Sequence, residues 1–93
     1  MKKIIILIPV FNDWQSLFKL LENINNEVSN LEAEFSVIIV NDASTETRSE
    51  INLNLNNIKS IQVVNMKENR GHARCYAAGM KYIFEKKEFD YVI

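Results

Sequence analysis

The chain has one cysteine, one proline, one histidine and only two glycines in its 93 residues. Each scarcity removes a class of function. The lone Cys75 can form no internal disulfide and supplies no thiolate framework for zinc; it is compatible with a reducing, cytoplasmic setting. With Gly71 and Gly79 alone, the chain has neither a dinucleotide-binding fingerprint nor a P-loop, so any phosphate must be met by basic side chains or a metal. A single histidine, and no serine on a strand-to-helix elbow, leaves no nucleophile, base and orienting group to assemble. His72 and Cys75 stand three apart, and two ligands without further partners make a poor zinc site. A formal net charge of −1 gives no electrostatic reason to expect nucleic acid or an anionic membrane surface. No apolar run approaches the ~20 residues of a membrane span. The run Ile4 to Ile8 follows Lys2-Lys3 in the manner of a secretory leader, but Pro9 and the polar Asn12-Asp13 end it early and no small-residue cleavage site follows. It is read as a buried strand.

What is present is ordinary globular material, 47% hydrophobic and 25% charged, enough for one small domain with a modest core. The continuous apolar run Ile4 to Ile8 is the pattern of a parallel strand covered on both faces. Trp14, Leu17, Phe18, Leu21, Ile24 and Val28 then recur at three- and four-residue steps, a helical stripe that Asn12 or Asp13 can cap. Phe35 to Val40 forms a second strand, and Ile61 to Asn65 a third. Between them the Asn-rich stretch from Thr45 to Ser60 is weakly patterned, with a short helix expected around Arg48 to Leu55. Arg70-Gly71-His72 opens a second long helix, with Ala73, Tyr76, Ala77, Met80, Ile83 and Phe84 expected on its inner face, and Tyr91-Val92-Ile93 begins a fourth strand. Cys75 is expected as a small core or helix-flank residue, and the Glu85-Lys86-Lys87-Glu88 run as a solvated helix end. Trp14, Phe18, Tyr82 and Phe84 lie on helical stripes and are expected in the core. Strands alternating with helices predict right-handed crossovers and a Rossmann-like three-layer α/β/α unit with a mainly parallel sheet of about four strands.

In such a sheet, ligands bind beyond the carboxyl ends of the strands, near the point where strand order reverses. The residues expected there are Pro9, Phe11, Asn12 and Asp13 after the first strand, and Asn41, Asp42, Ser44 and Thr45 after the second. Asn69, Arg70, Gly71 and His72 follow the third. Such an edge suits a nucleoside. Asp42 can accept a base N–H, Phe11 can lie against a ring, Arg70 can face a diphosphate, and the helix start near Gly71 adds backbone donors. Taken singly, Asn12 and Asp42 also suit helix caps and turns, and Ser44 and Thr45 suit them better than a site. Three polar clusters on one rim favour a site.

These clusters carry a resemblance. Ile8-Pro9-Val10-Phe11-Asn12-Asp13, then Val40-Asn41-Asp42-Ala43-Ser44-Thr45-Glu46, then Asn69-Arg70-Gly71-His72 with Ala78-Gly79-Met80, match in order and spacing three motifs of family 2 glycosyltransferases. The Asn-Arg-Gly-His form looks closest to polyprenyl-phosphate sugar transferases of the dolichol-phosphate-mannose-synthase type. The resemblance implies the N-terminal half of a GT-A fold, a UDP- or GDP-sugar donor, and a divalent cation (Mg or Mn) in the intact enzyme. The acceptor would be a hydroxyl or a polyprenyl phosphate, with a role in cell-envelope polysaccharide and a location in the cytoplasm or at the inner face of the membrane. By carry-over, Pro9, Phe11 and Asp13 line the nucleoside pocket, Asp42 takes the base N–H, and Arg70 and His72 lie near the ribose or diphosphate. Asn41 stands where the family commonly has a first acid. Ala43 replaces the usual Gly or Asn, so the turn there has no residue suited to positive φ. The family's Asp-x-Asp motif, acceptor site and base are expected beyond Ile93. Residues 1–93 are therefore expected to be a donor-binding N-terminal part, inactive alone, with no catalytic or metal residue of its own.

The competing reading is a non-catalytic nucleotide-binding or self-associating α/β module, whose exposed sheet edge invites a homodimer. A phosphoacceptor receiver domain would want its acceptor Asp after the third strand, where Asn65-Met66-Lys67 stands instead.

Overall fold

The computed structural model describes residues 1–45 and 54–93. Its elements follow the expected alternation: β1 (Lys2–Val10), α1 (Trp14–Glu27), a 3-10 turn (Val28–Asn30), β2 (Ala33–Asn41), β3 (Ser60–Asn65), α2 (His72–Lys86) and β4 (Tyr91–Val92). The strands form one sheet in the order β3-β2-β1-β4, every pairing parallel. The chain therefore steps outward from β1 to β3, then returns to the other side of β1. Strand order reverses at β1. The strands run longer than their apolar runs because the ladder recruits flanking polar residues such as Lys2 and Asn41. The helix expected around Arg48 to Leu55 falls almost wholly on residues 46–53, outside the described residues.

The two helices cover opposite faces. α1 lays Trp14, Leu17 and Leu21 on Val10, Val37 and Ile39, whereas α2 lays Cys75 and Ile83 on Ile5, Leu7, Ile38 and Val40. Alternate residues of β2 thus enter different cores, and Val37 to Val40 are each 1% exposed or less. Asn25 in α1 accepts the Asn57 N–H at 2.8 Å, and its own carbonyl accepts from the Asn57 side chain at 2.8 Å. That pair fixes the approach to β3 beside the buried Ile58.

Two expectations fail locally. Asp13 occupies the N-cap of α1 but makes no side-chain capping hydrogen bond, and Asn12 uses its amide elsewhere. The inner face of α2 is also rotated from the expected one. Cys75, Gly79 and Ile83 are buried, while Ala73 and Ala77 are exposed, as are Tyr76 (48%) and Phe84 (66%). Both stripes obey helical spacing, so hydrophobicity alone could not choose between them. Close approach decides it. A Cβ built on Gly79 would stand 2.5 Å from Leu7 Cδ1 and 3.0 Å from Val40 Cγ2. The small faces of Cys75 and Gly79 let the helix settle against the sheet, and the bulky aromatics are turned outward.

Gly79→Ala tests this contact. Alanine favours a helix interior by about 1 kcal/mol, but overpacking a filled core costs about 1–3 kcal/mol. The variant should be destabilised in urea unfolding, with partial recovery in Gly79→Ala/Leu7→Ala. A more stable Gly79→Ala protein would contradict the packing.

Candidate functional site

The ends of β1, β2 and β3 meet in a hydrogen-bonded rim. Asn41 and Asn65 are register partners at the ends of β2 and β3, and the Asn41 amide donates to Asn65 Oδ1 at 3.0 Å. Its oxygen accepts the Ser44 N–H at 3.0 Å, which starts the turn after β2. Asn12 binds the same turn from the side of β1. Its N–H donates to Ser44 Oγ at 2.9 Å, its amide nitrogen to Thr45 Oγ1 at 3.0 Å, and its amide oxygen accepts the Thr45 N–H at 2.8 Å. Asn12 and Ala43 both hold positive φ, at 60° and 56°. Asparagine tolerates that region; alanine does so only at a cost. The turn lacks a suitable residue and forms nonetheless.

Asp42 ties the third loop in. It is 1% exposed, and its backbone N–H donates to the Val10 carbonyl at 2.8 Å. Its Oδ1 accepts the Arg70 N–H at 2.8 Å and its Oδ2 the Gly71 N–H at 3.0 Å. The Arg70 hydrogen bond is the chief reason its carboxyl is held below the usual carboxylate range. Burial opposes that shift, while the Cys75 thiol, the Gly71 N–H and the nearby His72 reinforce it. Burial first, then the hydrogen bond and charge of Asp42, push the Cys75 thiol up to about 11. Both effects favour the protonated thiol over the thiolate that a nucleophile requires. Gly71, at φ 82°, turns the chain so that its N–H meets Asp42, a conformation that favours glycine.

Beside this rim lies a cleft of about 280 Å³ at the carboxyl end of β1. Pro9, Phe11, Asp13 and His72 line it, four of the nine residues singled out from the sequence. Ile8, Leu17 and the half-exposed Leu20 make its apolar floor, with Ser16 at its edge. Asn12, Asp42, Ser44 and Gly71 shape the rim without lining the cleft. The Gly71 N–H, expected as a ligand donor, is already given to Asp42. Arg70 points to a separate groove and pairs with Glu68 at 3.2 Å, both side chains more than half exposed. Among the described residues, no three His, Cys, Asp or Glu side chains gather into a metal site, and no helix is long and apolar enough to cross a membrane.

Sequence reasoning did not foresee Ser16 and Leu20, which reach the cleft from the exposed side of the first turns of α1. It also missed the Asn12–Thr45 and Asn41–Asn65 pairs. Asparagines ending two adjacent strands were the available signal for the latter.

A family model described as glycosyl transferase family 2 matches residues 5–93. A search of curated proteins and a search of solved structures each found no match.

Two outcomes follow from the rim. Ala43→Gly should raise stability by up to about 1.6 kcal/mol, since relief of roughly 1–2 kcal/mol of left-handed strain is offset by about 0.4–1 kcal/mol of added unfolded-state freedom. A lower urea midpoint would contradict the strain. Because the folded pKa of Asp42 lies below its unfolded value, its contribution is present above about pH 4 and is lost as pH falls through the folded value. Urea unfolding at pH 7 and pH 3 should show a larger acid loss in the parent than in Asp42→Asn. Equal losses would remove Asp42 from the acid response.

Proposed function

The chain belongs to glycosyl transferase family 2, and on that premise we propose that the β1 cleft holds the nucleoside of a UDP- or GDP-sugar donor. One observation carries the reading: Pro9, Phe11, Asp13 and His72 surround a single cleft at the strand where sheet order reverses. The apolar floor suits a base and the sugar carbons. Phe11, 39% exposed, offers a ring face. Asp13 is the exposed carboxylate at the cleft and accepts from a ribose hydroxyl or a base N–H. His72 stands at the start of α2, where an N-terminal helix dipole favours a phosphate.

Asp42 enters this reading through the turn it holds. Each of its oxygens accepts one backbone N–H, from Arg70 and from Gly71, so it serves the donor by placing His72, beside the expected acceptance of a base N–H. Asn12 and Ser44 likewise keep Phe11 and Asp13 at the cleft. The Asn69-Arg70-Gly71-His72 form supports a polyprenyl phosphate as acceptor, with a hydroxyl acceptor as the wider class. A Mg or Mn ion would neutralise the departing diphosphate in such chemistry. The described residues do not fit one, since no three candidate ligands meet. The role assigned to these residues is donor binding.

Calorimetry with UDP and GDP tests it. One of the two should bind, and base stacking worth about 1–3 kcal/mol means that Phe11→Ala should weaken it about tenfold, with Phe11→Tyr close to the parent. Asp13→Ala should weaken it as well. Failure of both nucleotides to bind, or an unchanged affinity in Phe11→Ala, would overturn the assignment.

A further inference from the structure

On the α2 side of the rim runs a second concavity of about 320 Å³, lined by Met66, Arg70, Arg74, Ala77, Ala78 and Lys81. It shares no lining residue with the β1 cleft. Its floor is apolar and small, because Ala77 and Ala78 leave space where longer side chains would fill it. Its rim is wholly cationic. Three of the eleven lysines and arginines of a chain with net charge −1 converge here. Glu68 offsets only Arg70, in a solvent-exposed pair of the kind that contributes little. Among the described residues, Arg74 and Lys81 have no carboxylate partner. They stand two helical turns apart, about 10.5 Å along the axis, on the outward face of α2. Arg70 adds a third cation from the turn that Asp42 fixes.

We propose that this groove is a subsite for a phosphoryl group borne on a small organic part, the phosphate held between Arg70, Arg74 and Lys81 and the organic part against Met66, Ala77 and Ala78. Planar guanidinium groups match phosphate oxygens in pairs, and a flexible ammonium completes the charge. The volume is that of a small-molecule site. A polypeptide segment would need a longer trough, and a carboxylate, with one charge and two oxygens, would satisfy fewer of these cations than a phosphoryl group. The subsite stands independently of the nucleotide reading, since it uses the opposite face of α2's first turns and a different set of side chains.

The same phosphoryl chemistry is found on a soluble ester and on a lipid headgroup, and one experiment separates them. The 93-residue chain is titrated with inorganic pyrophosphate at low salt, followed by amide NMR, and in parallel with vesicles of phosphatidylglycerol or of phosphatidylcholine. Pyrophosphate should shift the signals of Arg70, Arg74, Ala77, Ala78 and Lys81 together. Arg74→Ala/Lys81→Ala should weaken binding by about tenfold or more, as loss of hydrogen bonds to a charged group implies, while Lys2→Ala/Lys19→Ala should not. Arg74, Lys81, Lys2 and Lys19 are all exposed, so both variants keep the core intact. If phosphatidylglycerol vesicles alone engage the groove, with the same dependence on Arg74 and Lys81, the phosphoryl group is a headgroup. If neither probe binds, if shifts spread over every surface cation, or if both double variants weaken alike, the proposal fails. UDP or GDP binding should be unaffected in Arg74→Ala/Lys81→Ala, so failure here and failure of the β1 cleft are told apart.

Discussion

A carboxylate buried at the end of β2 organises the whole carboxyl edge of the sheet. Asp42 is 1% exposed and still ionised by preference, because its two oxygens accept the N–H groups of Arg70 and Gly71 and it sits against the Cys75 thiol. A buried charge without such partners would be expelled or neutralised. Here the partners are backbone donors five and six residues after β3 ends, so satisfying the charge and placing that loop are the same event. Through it the start of α2 is fixed, and with it His72 at the cleft and Arg70 at the neighbouring groove.

The neighbouring turn carries the cost. Ala43 holds φ 56° although nothing in its side chain favours that region. The residues around it over-determine the turn: Asn41 accepts the Ser44 N–H, Asn12 is joined to both Ser44 and Thr45, and the Asp42 N–H is given to Val10. Strain of this kind persists where surrounding contacts enforce it, and it gathers at sites that must present particular groups. On the other side of the sheet, Gly79 performs the matching service for α2 by letting the helix rest directly on Leu7 and Val40. Close packing along the helix and the carboxylate at its start together hold the third loop in one place.

The architecture was legible in the sequence because its strands are dense apolar runs and the helices between them repeat at three and four residues, which leaves a parallel α/β sheet as the natural outcome. The clustering of Pro9, Phe11, Asp13 and His72 was legible for a related reason: residues that follow parallel strands must share one edge. Which side chains on that edge line the cleft was not. Asp42 and Gly71 belong to the same polar clusters as Asp13 and His72, and only the three-dimensional pairing shows that Gly71 gives its N–H to Asp42. The inner face of α2 was hidden because two stripes overlap at Ile83, and the deciding factor is the room above Gly79, which hydropathy does not encode. The family relationship, seen in three ordered motifs, extends over residues 5–93.

Amide hydrogen exchange at Arg70 and Gly71 tests the organising role of Asp42 most directly. Both residues are exposed, yet their N–H groups donate to a buried carboxylate. They should exchange slowly in the parent chain, far more slowly than the exposed Glu68 and Asn69 beside them, and should lose that protection in Asp42→Ser while the amides of β2 keep theirs. Rapid exchange at Arg70 and Gly71 in the parent, or protection that survives the loss of the carboxylate, would contradict the account.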